Sequence, residues 1–298
     1  MEVFKLYVPT HMVNIGALMP LRNGCGAKWD FGRLLAICGS KQMPGAALMA
    51  CGSALRSGVG LVELASTEPV TGALSYRHPE CLLRPLPGKN GAVCRADLPL
   101  LLPHLQRASA VLCGCGLGCG PEQADFLQAL LPQLTVPAVL DADGLNLLAG
   151  RPELLQQTDA PLVLTPHAVE FHRLTGLSVA SILADPVETA SAFAVHNNAV
   201  VVLKGSTTTV ANPNGGFWQL EAPNSGMAEG GSGDVLAGLI AGFLAQGSLP
   251  YHAAILGVYL HALAGDLACK ELCPRAMLPT DIIAHLGQAF LLLTEALR

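Results

Sequence analysis

The chain has 298 residues, of which 51% are hydrophobic and only 13% charged, so it can bury a large core and is expected to cover part of its apolar excess with other copies of itself, as a homo-oligomer with a tetramer as one arrangement. A net charge of −5 without a basic run excludes nucleic acid as the main partner, and the apolar stretch Val235 to Ala245 is too short and glycine-rich to span a bilayer, so no membrane partner is expected. The opening Met-Glu-Val-Phe-Lys has no signal-peptide pattern, and ten cysteines without an export signal read as reduced thiols in the cytoplasm.

Residues 1–33 lack periodicity and read as an arm, irregular over 1–27, that packs on a neighbour or covers the site. Leu34 to Cys38 reads as a buried strand, and a turn over 39–45 leads into a helix from Ala46 to Ser57. Gly58 and Gly60 stop that helix, and Leu61 to Ala65 returns as a strand, which completes one βαβ unit. The pattern continues with a strand from Ala108 to Cys113, the turn Gly114-Cys115-Gly116-Leu117-Gly118, and a helix from Pro121 to Leu131. Pro137 to Leu140 is a strand ending in Asp141-Ala142-Asp143, and a short helix follows. Pro161 to Leu164 is a strand ending in Thr165-Pro166-His167, and helices from Ala168 to Leu174 and Pro186 to His196 precede a strand from Ala199 to Leu203. Wholly apolar strands alternating with helices predict a parallel sheet covered on both faces. Thr207 to Ala211 and Phe217 to Glu221 then flank Asn212-Pro213-Asn214-Gly215-Gly216 as a β-hairpin. After a glycine-rich loop the chain is helical, in about three helices by the same pattern reading. No linker or repeat interrupts it, so residues 1–298 are expected to form a single domain.

The polar and glycine-rich turns all fall at strand carboxyl ends, where α/β folds bind ligands. The stretch from Ala222 to Gln246 is the most informative. Gly230, Gly231, Ser232 and Gly233 turn the backbone tightly before an apolar helix starting at Asp234. Their N–H groups and the helix dipole make an anion hole suited to phosphate. Asp234 at its rim is either a candidate base or only a helix cap. Lys204-Gly205-Ser206-Thr207-Thr208 after an apolar strand offers a cation and hydroxyls to a nucleotide phosphate or ribose. The Gly114 turn is spaced G-x-G-x-G, a weak dinucleotide signal. Cys113, Cys115 and Cys119 do not have zinc-site spacing. A tight turn that lets a ligand approach the backbone is the preferred reading. Asp141, Asp143, Asn146 and Glu170 are polar groups near strand ends, and a carboxylate there can hold Mg²⁺ through water. His167 reads as a substrate contact or a helix cap, and His261 as a satisfied core histidine.

Together, Leu140-Asp141-Ala142-Asp143-Gly144-Leu145-Asn146, Leu164-Thr165-Pro166-His167, Leu203 through Thr208, and Gly226-Met227-Ala228 with Gly230 through Gly238 resemble the ADP-dependent NAD(P)H-hydrate dehydratases of the ribokinase-like superfamily. Met43-Pro44-Gly45-Ala46-Ala47, Leu55-Arg56-Ser57-Gly58 and Tyr259-Leu260-His261 extend the resemblance over roughly residues 28 to 295. It implies a ribokinase-like three-layer α/β/α fold with a central, mostly parallel sheet and a β-hairpin near the C-terminal part. It also implies repair of nicotinamide cofactors. The S-epimer of NADH or NADPH hydrate would lose water in a reaction driven by ADP or ATP with Mg²⁺. Asp234 would deprotonate the hydrate hydroxyl, which would take the terminal phosphoryl group. Ala46, Gly116, His167 and Asp234 would contact the hydrate. Lys204, Gly205, Ser206, Thr207, Thr208 and Gly233 would contact the nucleotide, and Glu170 is the candidate for Mg²⁺ through water.

The sequence departs from that family's pattern in places. Ala168-Val169-Glu170 replaces Pro-Gly-Glu, Cys115 replaces a proline, Ser225 replaces another and Glu229 a threonine, and Ala27-Lys28-Trp29 replaces His-Lys-Gly. Many members also carry an epimerase domain, which is expected here as a separate protein. The rival readings are a vitamin-precursor alcohol kinase of the same superfamily, a catalytically silent nucleotide-binding protein, and, on the Gly114 turn alone, an NAD oxidoreductase.

Overall fold

Along β1 (Arg33–Ile37), Leu34 and Ala36 enter one hydrophobic core while Leu35 and Ile37 enter another. A strand buried on both faces sits between two helical layers, because successive side chains point to opposite sides. The architecture comes from a computed structural model that describes residues 13–22 and 24–295. After β1 come α1 (Pro44–Arg56), β2 (Leu61–Thr67), α2 (Glu68–Arg77), β3 (Leu82–Leu86), α3 (Leu98–Leu105), β4 (Ala110–Cys113), α4 (Pro121–Leu130) and β5 (Ala138–Leu140). Next are α5 (Asp143–Asn146), β6 (Leu162–Leu164), α6 (Ala168–Thr175), α7 (Val179–Ala184), α8 (Pro186–Asn197) and β7 (Ala199–Leu203). The chain finishes with β8 (Thr207–Ala211), β9 (Phe217–Glu221), α9 (Ser232–Ala245), α10 (Pro250–Leu272) and α11 (Pro279–Glu295).

The nine strands lie in the order β3-β2-β1-β4-β5-β6-β7-β8-β9. Pairing is parallel from β3 to β7, and the β8–β9 hairpin joins β7 antiparallel. One helical layer contains α1, α2, α9, α10 and α11; α3, α4 and α8 cover the other face. This is the three-layer, mostly parallel arrangement expected from the pattern. Strand order reverses between β1 and β4, which opens a crevice at the strand carboxyl ends. From the edge strand β9 the chain returns over that end to lay α9 against β4 and β5 at the centre of the sheet. The glycine loop before α9 is therefore carried to the middle of the crevice by the topology.

Four elements escape the periodicity argument. Pro85 interrupts β3, which is tolerated because β3 is an edge strand. Pro103 lies inside α3, so no helical period marks it. The α2 and α7 helices are short and have weak apolar faces, with Val70, Thr71 and Leu74 buried in α2 and only Ile182 in α7. In the expected arm, residues 1–12 lie outside the described residues. The described part does not reach the crevice. Gly32 packs on the carbonyl of Ala245, and Arg22 Nη1 donates to Gly58 O, both at the end of the fold away from Ser232. Ile15 is buried in the core with α10 and α11.

Among the described residues, α10 is the one helix long and apolar enough to cross a membrane, and 83% of its apolar window is buried inside the fold. All ten cysteines are free thiols.

Candidate active site

The glycine loop ends differently from the sequence expectation. The helix begins at Ser232, not Asp234, and Gly231 is its N-cap with φ +109°. A side chain at Gly231 would be strained at that φ and would collide with the Met49 thioether of α1. Ser232, Gly233 and Asp234 thus occupy the first helical turn, where backbone N–H groups have no intrahelical acceptor. No side chain caps the helix, so the capping reading of Asp234 fails and its carboxylate is free for other work. His261 anchors this turn, with Nε2 lying 3.0 Å from Ser232 O and 3.4 Å from its hydroxyl. Burial lowers the His261 pKa to about 4, so the ring is neutral and its Nε2–H donates to Ser232 O.

Beside the loop, the ends of β5, β6 and β7 bring charges together. Lys204 follows β7, and its backbone N–H donates to Pro166 O at 2.8 Å, which aligns it with His167. The Lys204 ammonium lies 3.0 Å from Asp141 Oδ1 and 3.7 Å from Glu170 Oε2. Burial alone would lower the pKa of this lysine, but the Asp141 and Glu170 charges outweigh it and hold it above the ordinary value. Asp141 also accepts the Thr165 hydroxyl at 2.6 Å and the Cys115 thiol at 3.6 Å. Its neighbour Ala142 adopts φ +49°, a strained value for alanine that turns Asp141 and Asp143 apart. Asp143 accepts Gly118 N–H at 2.8 Å and the Cys119 thiol at 3.0 Å.

His167 is a helix cap. Its Nδ1 accepts the N–H groups of Val169 and Glu170 at 3.1 Å, while Glu170 Oε2 takes the His167 N–H at 2.8 Å. The exposed edge of the ring still faces the cavity.

Asp234 faces these groups from α9. Burial raises its carboxyl pKa to about 7, the Asp141 charge adds to the rise, and Cys115 and Lys204 oppose it. A carboxylate poised near neutrality at the mouth of an anion hole suits a general base. These elements line one cavity of about 1030 Å³. It contains Asp234, the loop 230–233, Lys204, Gly205, Ser206, Thr208, His167 and Glu170.

Three expected contacts lie outside that wall. Thr207 opens β8 opposite Glu221, and alternation along the strand turns it away from Thr208. Ala46 and Gly116 meet each other instead, and a Cβ on Gly116 would lie 2.7 Å from the Ala46 methyl. The Gly114 turn is tight, with Gly114, Gly116 and Gly118 all at positive φ. The group that approaches its backbone is the chain itself, since a Cβ on Gly114 would collide with Asp141 O and lie 2.6 Å from Gly144 N. Cys113 enters the core opposite to that of Cys115, and Cys119 is exposed, so these three thiols do not converge. Asn146 accepts from Arg173 at 2.8 Å and is not part of the cavity wall. Sequence reasoning missed Asn224 and Glu229, which line the cavity, and set aside His261, which does so as well. The Tyr259-Leu260-His261 motif was the available signal for the last.

Mg²⁺ prefers oxygen ligands. Cys115, Asp141 and Asp234 cluster within 4.8 Å, but the thiol is a poor ligand for that ion and Lys204 already neutralises Asp141. Glu170 is an oxygen donor on the cavity wall that meets the same Lys204 at the longer distance of 3.7 Å.

The family model for NAD(P)H-hydrate dehydratase matches residues 34–288. A bifunctional NAD(P)H-hydrate repair enzyme of Moorella thermoacetica is 42% identical over 90% of this chain and 51% of its own length. The chain thus spans about half the length of the first such curated relatives, while an ADP-dependent (S)-NAD(P)H-hydrate dehydratase of Xanthomonas campestris is 36% identical over 88% of this chain and 89% of its own. The crystal structure of the ADP/ATP-dependent NAD(P)H-hydrate dehydratase of Bacillus subtilis, co-crystallised with ATP and Mg²⁺, superposes with a TM-score of 0.80 at 29% identity, covering 94% of this chain and 96% of that one.

Proposed function

The chain belongs to the NAD(P)H-hydrate dehydratase family, and on that premise we propose that it returns the S-epimer of NADH or NADPH hydrate to the reduced cofactor at the expense of ADP or ATP. The observation that carries this reading is the place of Asp234. Its carboxylate, with a pKa raised to about 7, stands in the first turn of α9 and faces the cavity that Lys204 and the loop 230–233 also line.

In the proposed reaction Asp234 takes the proton of the hydrate hydroxyl. The hydroxyl oxygen attacks the terminal phosphorus of the nucleotide. The bond from phosphorus to the bridging oxygen breaks, and its electron pair leaves with the shortened nucleotide. Phosphate then departs from the ring carbon with the C–O electron pair, pushed by the ring nitrogen lone pair, and loss of a proton from the neighbouring carbon restores the dihydropyridine. The first turn of α9 and Lys204 hold the phosphates, and most of the catalysis is positioning and charge stabilisation. His167, Ala46 and Gly116 are the proposed hydrate contacts; Gly205, Ser206, Thr207, Thr208 and Gly233 are the proposed nucleotide contacts. Mg²⁺, held through water by Glu170, would neutralise phosphate charge when bound.

The reading includes a cytoplasmic homo-oligomer that works beside an NAD(P)H-hydrate epimerase, which interconverts the hydrate epimers. The test is recovery of dihydronicotinamide absorbance from NADH hydrate with ADP or ATP and Mg²⁺. Recovery with release of inorganic phosphate supports the proposal. Stable phosphorylation of another alcohol without recovery overturns it in favour of a kinase.

A further inference from the structure

One buried group in the crevice has no part in that reaction. Cys115 is fully buried after β4, and its Sγ, an oxygen of Asp141 and an oxygen of Asp234 all lie within 4.8 Å of one another. The thiol donates to Asp141 Oδ2 at 3.6 Å. Asp141 keeps two stronger bonds when the thiol turns away, since its Oδ1 takes Thr165 at 2.6 Å and Lys204 at 3.0 Å. A thiol carries one proton, and that proton turns about the Cβ–S bond at little cost.

We propose that Cys115 is a positioning residue for the base: its S–H turns from Asp141 to Asp234 when Asp234 is ionised, and turns back when Asp234 holds a proton. This assigns a function to the contact that rests on the dehydratase reading; the contact itself does not. No covalent step is involved, and the proton stays on sulfur. The Cys38 thiol beside Cys115, burial and the two carboxylates all raise the Cys115 pKa well above that of an ordinary thiol.

The other groups facing Asp234 come from every neighbouring element. Asp141 at the end of β5 and Asp143 at the start of α5 oppose its ionisation, while Lys204 at the end of β7 favours it. Cys38, just after β1, donates to Leu112 O at 3.9 Å, and its sulfur is in hydrogen-bond contact with the Cys115 thiol. Neutral His261 on α10 is bonded to Ser232. Glu170 and His167 lie behind Lys204 and bond each other. Lys204 is shared between Asp141 and Glu170, so Cys115, whose thiol Asp141 and Asp234 both approach, is the neutral side-chain donor that can turn to Asp234 once it is charged.

The test uses the full chain with Cys115→Ala and Cys115→Ser. The pH profile of kcat/KM for NADH hydrate should show its acidic limb displaced upward by about 0.5 to 1 pH unit in Cys115→Ala and restored toward the wild type in Cys115→Ser, with the KM for ADP unmoved. In parallel, the S–H stretching band of Cys115, isolated as the infrared difference between wild type and Cys115→Ala, should move with pH as Asp234 titrates, and should stay fixed in Asp234→Asn. Coincident limbs for wild type and Cys115→Ala, or a band that does not move with pH, overturn the proposal. If the wild type recovers no cofactor, the dehydratase reading fails, and the infrared band still decides whether the thiol follows Asp234.

Discussion

The Lys204 ammonium lies 3.2 Å from where a methyl group on Gly233 would sit. The end of β7 and the first turn of α9 therefore meet at a point, and the missing side chain at Gly233 leaves room for the cation beside the phosphate loop. Gly233 is in an ordinary helical conformation, so Gly233→Ala strains no backbone. The added methyl presses on the flexible end of Lys204 and shifts it from its place between Asp141 and the loop. The KM for ADP should rise roughly tenfold, the equivalent of one charge-assisted hydrogen bond, with the melting temperature little changed. An unaltered KM would mean that the ammonium does not meet the nucleotide.

Asp234 predicts a conflict between rate and stability. As a base it must be ionised, so kcat/KM should climb with pH through about 7 and level above it. Its folded pKa is raised from 3.8, so the folded state binds this proton more tightly than the unfolded chain does. The contribution to stability is thus neutral at low pH and turns unfavourable as pH rises from about 4 past 7. Asp234→Asn should abolish turnover, losing about a hundredfold or more. The same variant should be more stable than the wild type at pH 8, by on the order of 2 kcal/mol after allowance for the side open to solvent, and no more stable near pH 4. Calorimetry at the two pH values measures this. Equal stability at both would show that the native fold does not strain Asp234.

The parts legible in sequence were those where one residue's local rule suffices. The strand cores follow because Leu34 to Ile37 and Ala199 to Leu203 are apolar throughout, and the hairpin follows from Asn212 to Gly216. The crevice was legible too, since polar turns at parallel-strand ends converge by topology. The pairings across it were not. That Asp141 would hold Lys204, 63 residues away, and that Cys115 would stand beside Asp234 depend on strand order, which periodicity does not encode. The helix start was misplaced by two residues because Ser232-Gly233 reads as loop, although Gly231 alone supplies the left-handed cap. Ala46 and Gly116 show a different limit. Close packing of the Gly116 turn against α1 and a ligand-binding surface both ask for small residues, and sequence does not separate the two demands.

Away from the crevice, Glu63 on β2 is fully buried and paired with Arg33, Arg84 and His104. Burial would raise its pKa, but the bond and charge of Arg33, with His104 and Arg84 behind, lower it below the usual carboxylate value. A lowered folded pKa adds stability that is complete above the unfolded value of about 4.5 and is lost as pH falls through the folded one. Glu63→Gln leaves the partly buried Arg33 and the more exposed Arg84 short of a counter-charge and should cost about 1 to 2 kcal/mol at neutral pH, with the difference shrinking toward pH 3. Urea unfolding at both pH values measures it. A difference that does not shrink in acid would assign the loss to packing and not to charge.

His261 gives the last prediction. Its ring is buried, and burial holds its pKa near 4, down from 6.5. The protonated form is therefore disfavoured in the fold. The histidine's contribution to stability is whole above about 6.5 and is lost as pH falls from there toward about 4, by on the order of 2 to 3 kcal/mol. His261→Phe removes this acid sensitivity, because phenylalanine has nothing to protonate. It also removes the donor that reaches Ser232 O at 3.0 Å. Ser232 O remains an acceptor within α9, so the cost falls less on folding than on the placement of the first turn, whose N–H groups face the phosphates. The variant should unfold in acid at a lower pH than the wild type, yet show a KM for ADP raised by roughly three- to tenfold at neutral pH. A variant that gains acid stability with an unchanged KM would make His261 a core residue only; both effects together would make it the anchor of the anion hole.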